Sequence, residues 1–269
     1  MSAHHDLYAA PLVVESTADC NFYHVMDVPG EGVVRGPSDC VAGAQFDLRG
    51  GEDDYLGHAP LGGRRVLEIG PANGFLTFYM ESQGANVVAV ELGPEAEWDT
   101  VPHARLDLAA IREERRHTME RLRNGFWWAH KRMGSRAQVH YGDVYALPDD
   151  LGDFDLAVIA AVLRHTRDPF RIVAGCARHA ETVVITEMCF PELGGTPVLR
   201  FVPTRESAIW DTWWDFSPDV LVNLLGVLGL DQSTVTYHNQ RLLVNDVEHS
   251  IPFFTLVGSR SQSTSGRPA

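Results

Sequence analysis

Arg65-Val-Leu-Glu-Ile-Gly-Pro-Ala-Asn-Gly74 is the stretch on which the fold turns, and Asn86-Val-Val-Ala-Val-Glu91 follows it at a short remove. Val66, Leu67 and Ile69 form an apolar run that stops at glycine, and Phe75-Leu-Thr-Phe-Tyr-Met-Glu81 then takes up a helical pattern. The segment reads as buried strand, glycine turn and helix. A glycine has no Cβ, so a ligand can lie directly against the turn while the following helix points its free N–H groups at it. The second strand ends in Glu91, whose carboxylate is placed to accept both hydroxyls of a ribose. Together these features predict a nucleoside-binding βαβ unit.

Spacing narrows the nucleoside. A dinucleotide fingerprint needs G-x-G-x-x-G, with glycines serving a pyrophosphate, whereas here Glu68 precedes Gly70 by two residues and the next glycine is Gly74. That E-x-G-x-x-x-G pattern resembles motif I of the class I S-adenosylmethionine (SAM)-dependent methyltransferases. Tyr141-Gly-Asp143-Val144 looks like the adenine site of that family, and Phe154-Asp-Leu-Ala-Val-Ile-Ala-Ala161 resembles its fourth motif. The resemblance implies an α/β fold, a Rossmann-like seven-stranded sheet with helices on both faces, and SAM as cofactor. It implies cofactor contacts at Glu68, Gly70, Asn73, Gly74, Glu91, Leu92, Asp143, Val144 and Ala161.

A narrower likeness follows from Phe22-Tyr-His-Val-Met-Asp-Val-Pro-Gly30, Gly125-Phe-Trp-Trp-Ala-His130, Val162-Leu-Arg-His-Thr-Arg-Asp-Pro169, Thr212-Trp-Trp214 and Phe253-Phe-Thr-Leu-Val-Gly258. These resemble a branch similar to the tRNA wobble-uridine 5-oxyacetic acid methyltransferase, which also has bacterial members with unassigned substrates. In the tRNA-directed relative the donor is carboxymethylated SAM. That chemistry is not carried over: the relative uses a larger N-terminal domain for RNA, whereas motif I begins here at about residue 65 and the net charge is −14. Plain SAM and a small acceptor, a sugar or another specialised metabolite, is the more economical expectation. A tRNA uridine-modifying enzyme and a non-catalytic SAM-binding protein are the alternatives.

Composition agrees with that choice. The 269 residues are 45% hydrophobic, enough for one substantial core, and 36 acidic against 22 basic residues leave a net charge of −14. An acidic balance opposes non-specific nucleic-acid binding. Charge is uneven, however: between Arg105 and Arg136 nine Lys/Arg face four Asp/Glu, which the tRNA alternative would use as a contact surface. The sequence shows no run of eighteen apolar residues and no signal-peptide pattern, so a cytoplasmic protein without membrane contact is expected. Cys20, Cys40, Cys176 and Cys189 lack C-x-x-C spacing, so neither a metal nor disulfides are expected. Oligomeric state stays open, a homodimer included.

Along the chain, residues 1–61 read as an N-terminal cap whose first fifteen residues fray, 62–258 as the SAM-dependent domain, and 259–269 as a disordered tail. Residues 104–132 carry helical spacing and make one long helix or two broken near Asn124-Gly125. Trp127 and Trp128 cannot share a face, so one is expected in the core while Trp128 reaches the substrate. The segment 189–216, with Trp210, Trp213 and Trp214, is too aromatic for a solvated linker and is expected to cover the acceptor. Tyr23, Arg200, Trp213 and Trp214 are therefore candidate substrate contacts, and His24, His165 and Glu187 candidate catalytic groups, each near a strand end or the cap. A base is needed only if the acceptor keeps its proton.

Overall fold

A computed structural model describes residues 7–36, 44–245 and 247–261. The chain begins with a hairpin of β1 (Met26–Val28) and β2 (Gly32–Val34), followed by β3 (Ala44–Asp47) and the one-turn helix α1 (Glu52–Tyr55). β4 (Arg65–Ile69), α2 (Phe75–Ser82) and β5 (Asn86–Glu91) form the expected βαβ unit, and α3 (Leu108–Met133) leads into β6 (Gln138–Tyr141). β7 (Phe154–Ala160), α4 (Pro169–His179) and β8 (Ala180–Met188) complete the parallel part. A small hairpin, β9 (Leu199–Phe201) with β10 (Trp214–Phe216), precedes α5 (Pro218–Val227) and the long pair β11 (Gln232–Val244) and β12 (Val247–Ser259).

The main sheet has the order β3-β11-β12-β8-β7-β4-β5-β6. β8, β7, β4, β5 and β6 run parallel, and β12, β11 and β3 close the other side antiparallel. Chain direction across the sheet reverses between β4 and β7, the crevice where open α/β sheets hold their ligands. Successive strand residues point to opposite faces, so Val66, Val158, Val184 and Phe253 enter the core under α2 and α3. Leu67, Ile159, Ile185 and Phe254 enter the core under α4 and α5. The sheet thus shows as near-continuous apolar runs because both of its faces are covered.

Eight strands rather than seven make this sheet. The eighth, β3, comes from the stretch expected to be a cap, and pairs with β11 through Phe46 opposite Leu242. β11 runs to Val244, and pairing by β3 covers an edge that would otherwise present unpaired backbone. At the opposite edge the N-terminal segment is held from Leu7 onward instead of fraying: Ala9 donates its N–H to the Val139 carbonyl at 2.8 Å, and His140 bonds the Leu7 carbonyl at 2.7 Å. The start of the expected tail is also tied down, with Arg260 donating to the Ala177 carbonyl at 2.7 Å and the Ser261 N–H to Asp231 at 2.8 Å. The rest of that tail, the first six residues and Cys40 lie outside the described residues.

α3 is one unbroken helix of 26 residues, capped by Asp107, whose side chain accepts from the N–H groups of Ala109 and Ala110. Gly125 does not break it. An added Cβ there would stand 2.5 Å from the Asn21 carbonyl oxygen, so the missing side chain admits the N-terminal segment against the helix. The Asn21 N–H is donated to the Arg121 carbonyl at 2.9 Å and completes the junction. No helix among the described residues is long and apolar enough to cross a membrane.

Candidate functional site

The carboxyl ends of β4, β5 and β7 open into a cavity of about 910 Å³, at the upper end of the range for small-molecule and cofactor sites. Seven of the nine residues expected to meet the cofactor line it: Glu68, Gly70, Glu91, Leu92, Asp143, Val144 and Ala161. Gly70 is held at φ +70°, and a Cβ there would lie 2.8 Å from Val162 Cγ2, so the turn admits no other residue without strain. Glu91 accepts a hydrogen bond from the Leu92 N–H at 2.8 Å, and burial raises its carboxyl to about 7. Glu68 accepts from the Thr77 hydroxyl and is pushed by burial to about 8. Asp143 accepts from the Tyr145 N–H at 2.8 Å, which shapes its turn and leaves the carboxylate exposed.

Asn73 and Gly74 lie outside the cavity. The Asn73 side chain is fully buried and clamps the backbone of His24, accepting its N–H at 3.0 Å and donating to its carbonyl at 3.1 Å. Gly74 sits at φ +86°, and a Cβ would collide with the Phe78 ring at 2.5 Å, so this glycine serves the seating of α2 on the α3 side of the core. The pattern E-x-G-x-x-x-G therefore combines a cavity-lining glycine with a packing glycine.

The clamp by Asn73 brings the cap to the site. Tyr23 and His24 line the cavity beside Phe46, Tyr55 and Phe253. The His24 Nδ1 makes no hydrogen bond among the described residues, and burial lowers the imidazole to about 4, which keeps it neutral. His165, on the turn after β7, lines the same cavity. Its Nδ1 bonds the Asp211 carbonyl, its ring lies 5.8 Å from Trp98, and burial lowers it likewise to about 4.

Three segments form the roof. Trp98 comes from the loop after β5, Arg115 from α3 and Trp210 from the loop before β10. The Arg115 guanidinium carbon lies 4.3 Å from the Trp98 ring centre and 4.9 Å from that of Trp210, so one cation holds both indoles. Asp99 ties the same loop to the turn after β6: its carboxylate meets the Tyr145 hydroxyl and accepts the Arg167 N–H at 2.8 Å. Of these residues the sequence suggested only Trp210, as part of the covering loop. The available signal for Trp98 was an aromatic a few residues beyond Glu91.

Several expected contacts are placed elsewhere. Trp128 is 1% exposed and packs edge-on against Phe22 with Arg132 over its face, so both tryptophans of α3 are core residues. Trp127 satisfies its indole N–H on the Tyr141 hydroxyl at 2.8 Å. Trp213 is 8% exposed and donates to the Asp99 carbonyl at 2.7 Å, which anchors the roof from behind. Trp214 packs on Phe201 at 5.3 Å and Arg200 pairs with Asp215 and Glu192, all outside the cavity walls. Glu187 is buried below the cavity floor, accepts the Leu163 N–H at 2.9 Å, and is raised by burial to about 7. It fixes the turn that carries His165. The basic stretch is largely spent on protein: Arg112 pairs with Glu97, Arg116 with Glu113, Arg132 with Glu31, and Arg121 donates to the Cys20 carbonyl.

The described architecture matches solved structures. A protein from Pyrococcus horikoshii assigned as an RNA methyltransferase superposes with a TM-score of 0.51 at 12% identity, covering 82% of this chain and 87% of that one. The N-terminal domain of EvdMO1, solved with S-adenosylhomocysteine (SAH) and D-fucose, superposes with a TM-score of 0.51 at 16% identity, covering 88% and 90%. The fold is that of the class I SAM-dependent methyltransferases. Among curated proteins, the ubiquinone biosynthesis O-methyltransferase of Xylella fastidiosa is 31% identical over 129 residues, and that of Hahella chejuensis 28% over 123. Each alignment covers 46% of this chain and 41% of the relative, less than half of either. No family model matches the chain.

Proposed function

We propose that this chain is a SAM-dependent methyltransferase that methylates a small-molecule acceptor, a sugar or another specialised metabolite. The observation that carries this reading is that one cavity joins the seven motif residues to Tyr23, His24 and the tryptophan roof. Cofactor and acceptor would share a single cavity, as in-line transfer requires. SAM supplies an electrophilic methyl on a sulfonium. Glu91 would hold the ribose hydroxyls and Asp143 with Val144 the adenine, while the Gly70 turn leaves room for the chain between them. The Trp98, Arg115 and Trp210 roof would limit the access of water to the transferring methyl.

For catalysis, His24 is the group we assign to receive a proton from an acceptor hydroxyl. A neutral imidazole of low basicity suffices, because an oxygen that has just gained a methyl is a strong acid. His165 serves as a wall of the site, its Nδ1 being engaged by Asp211, and Glu187 as a positioning residue. The free thiols Cys20, Cys176 and Cys189 fit a reducing compartment and hence the cytoplasm. The tRNA-directed alternative is weakened by the internal pairing of the α3 arginines. Tight RNA binding with a steep salt slope would restore it.

Calorimetry tests the reading through Glu91. Ribose hydroxyls donating to this carboxylate would favour its ionised form, so SAH binding near pH 7 should release protons. Titrations in buffers of different ionisation enthalpy would show this. Absence of SAH binding would overturn the proposal, as would failure of any metabolite extract to release SAH from SAM in favour of a non-catalytic protein.

A further inference from the structure

We propose that the cap end of the cavity is an acceptor subsite for the hydroxyl-bearing ring of a phenol, anchored by the Tyr55 hydroxyl. This rests on the methyltransferase reading and names its substrate class. The nucleoside residues Glu91, Leu92, Asp143 and Val144 occupy the β5 and β6 side of the cavity. Across β4 and β7 from them, Tyr23, Phe46, Tyr55 and Phe253 wall off the other end. Their rings form a continuous chain: Tyr23 to Phe46 at 5.9 Å, Phe46 to Phe253 at 6.0 Å and Phe253 to Tyr55 at 5.5 Å, each tilted or edge-on. Such an arrangement offers ring faces and edges to a further planar ring.

Tyr55 is the residue that needs a ligand. It is 3% exposed, yet its hydroxyl has no hydrogen-bond partner among the described residues and is not sealed within the protein. Burial, with Tyr23 and Glu187 nearby, raises this phenol well above its usual range, so it remains a donor. Its backbone is fixed, the Tyr55 carbonyl accepting from the Thr186 hydroxyl at 2.6 Å. A hydroxyl held rigidly on a cavity wall can give its hydrogen bond to a ligand oxygen in place of cavity water.

The number of polar groups selects the class. Among the described residues, Tyr23, Tyr55 and His24 are the polar side chains that line this end, set between Phe46, Phe253 and Met188. A phenol or catechol brings one or two hydroxyls, which Tyr55 as donor and His24 as acceptor can meet. A sugar brings four or five, and each one buried without a partner costs about 1–3 kcal/mol. His24 then accepts from the hydroxyl that Tyr55 donates to.

The test uses SAH-saturated protein with 4-nitrophenol, followed by its absorption, and D-fucose, followed by calorimetry. Wild type should bind 4-nitrophenol and not D-fucose, and Tyr55→Phe should bind the phenol about tenfold more weakly with SAH affinity and melting temperature unchanged. His24→Phe, which keeps a ring but removes the acceptor, should weaken it similarly. Equal phenol binding by wild type and Tyr55→Phe, binding of D-fucose instead, or phenol binding that SAH abolishes would each overturn the subsite. Wild type that fails to bind SAH while still binding 4-nitrophenol would overturn the cofactor reading and leave the aromatic subsite standing as a measured fact.

Discussion

At the β4 and β5 end of the cavity, Glu68, Gly70 and Glu91 belong to one βαβ unit and are held by the strands they terminate. At the roof, Trp98, Arg115 and Trp210 come from three segments far apart in sequence and are held by each other. The first arrangement is enforced by hydrogen-bonded strands and a turn whose backbone admits only glycine. The second depends on stacking across loops, which local sequence does not impose. Residues of one type therefore separate by location: Trp98 and Trp210 face the cavity, while Trp127, Trp128 and Trp213 hold the frame around it.

That contrast breaks most visibly at Trp213. Trp213→Ala should cost about 3–5 kcal/mol in chemical denaturation, as a buried indole with its N–H satisfied is removed, and Trp214→Ala, at a partly exposed ring, distinctly less. Equal and small costs for both would return them to the cavity wall. Glu91→Ala should weaken SAH binding by about 2–3 kcal/mol, the value of charge-assisted bonds to a carboxylate, with little change in melting temperature. If calorimetry finds unchanged affinity, the ribose does not lie on β5.

A smaller effect sharpens the comparison at the α3 junction. Alanine normally strengthens a helix over glycine by about 1 kcal/mol, but at Gly125 the new Cβ would stand 2.5 Å from a backbone carbonyl. Gly125→Ala should therefore destabilise the protein by about 1–3 kcal/mol. A higher melting temperature would show that residues near Asn21 are not seated there. The smallest expected effect is on acid stability. His24 ionises near 6.5 in an unfolded chain and at about 4 when folded, so between those values the unfolded chain takes up a proton that the folded chain refuses. The stability this contributes is complete above about pH 6.5 and is lost as pH falls toward 4. His24→Asn should accordingly lose less melting temperature between pH 7 and pH 5 than wild type does.

The same contrast shows what could be read from the chain. Asp168-Pro169 and Ser217-Pro218 show how local chemistry sets a helix start: one side chain and one ring fix the first turn, and both caps are made, to the Arg171 and Val220 N–H groups. The aromatic pair Trp127-Trp128 was misleading, since helical periodicity places residues on faces but does not say that neither face is open. The Phe22 and Tyr141 side chains, one from the cap and one from β6, cover both. Tyr55 carried no signal: a tyrosine on a one-turn helix looks like any surface aromatic until β12 is laid beside it.

Sequence by itself determined the parallel strands, the Gly70 turn and the acids at the strand ends, because each follows from apolar runs, glycine geometry and neighbours a few residues away. Only the tertiary structure decided that β3 joins the sheet, that Asn73 holds the cap, that Glu187 faces inward and that Arg115 closes the roof. The physical reason is distance along the chain. A turn or a cap is settled by local sterics and one hydrogen bond, whereas those four arrangements exist only once segments that are not neighbours in sequence are packed against the same sheet.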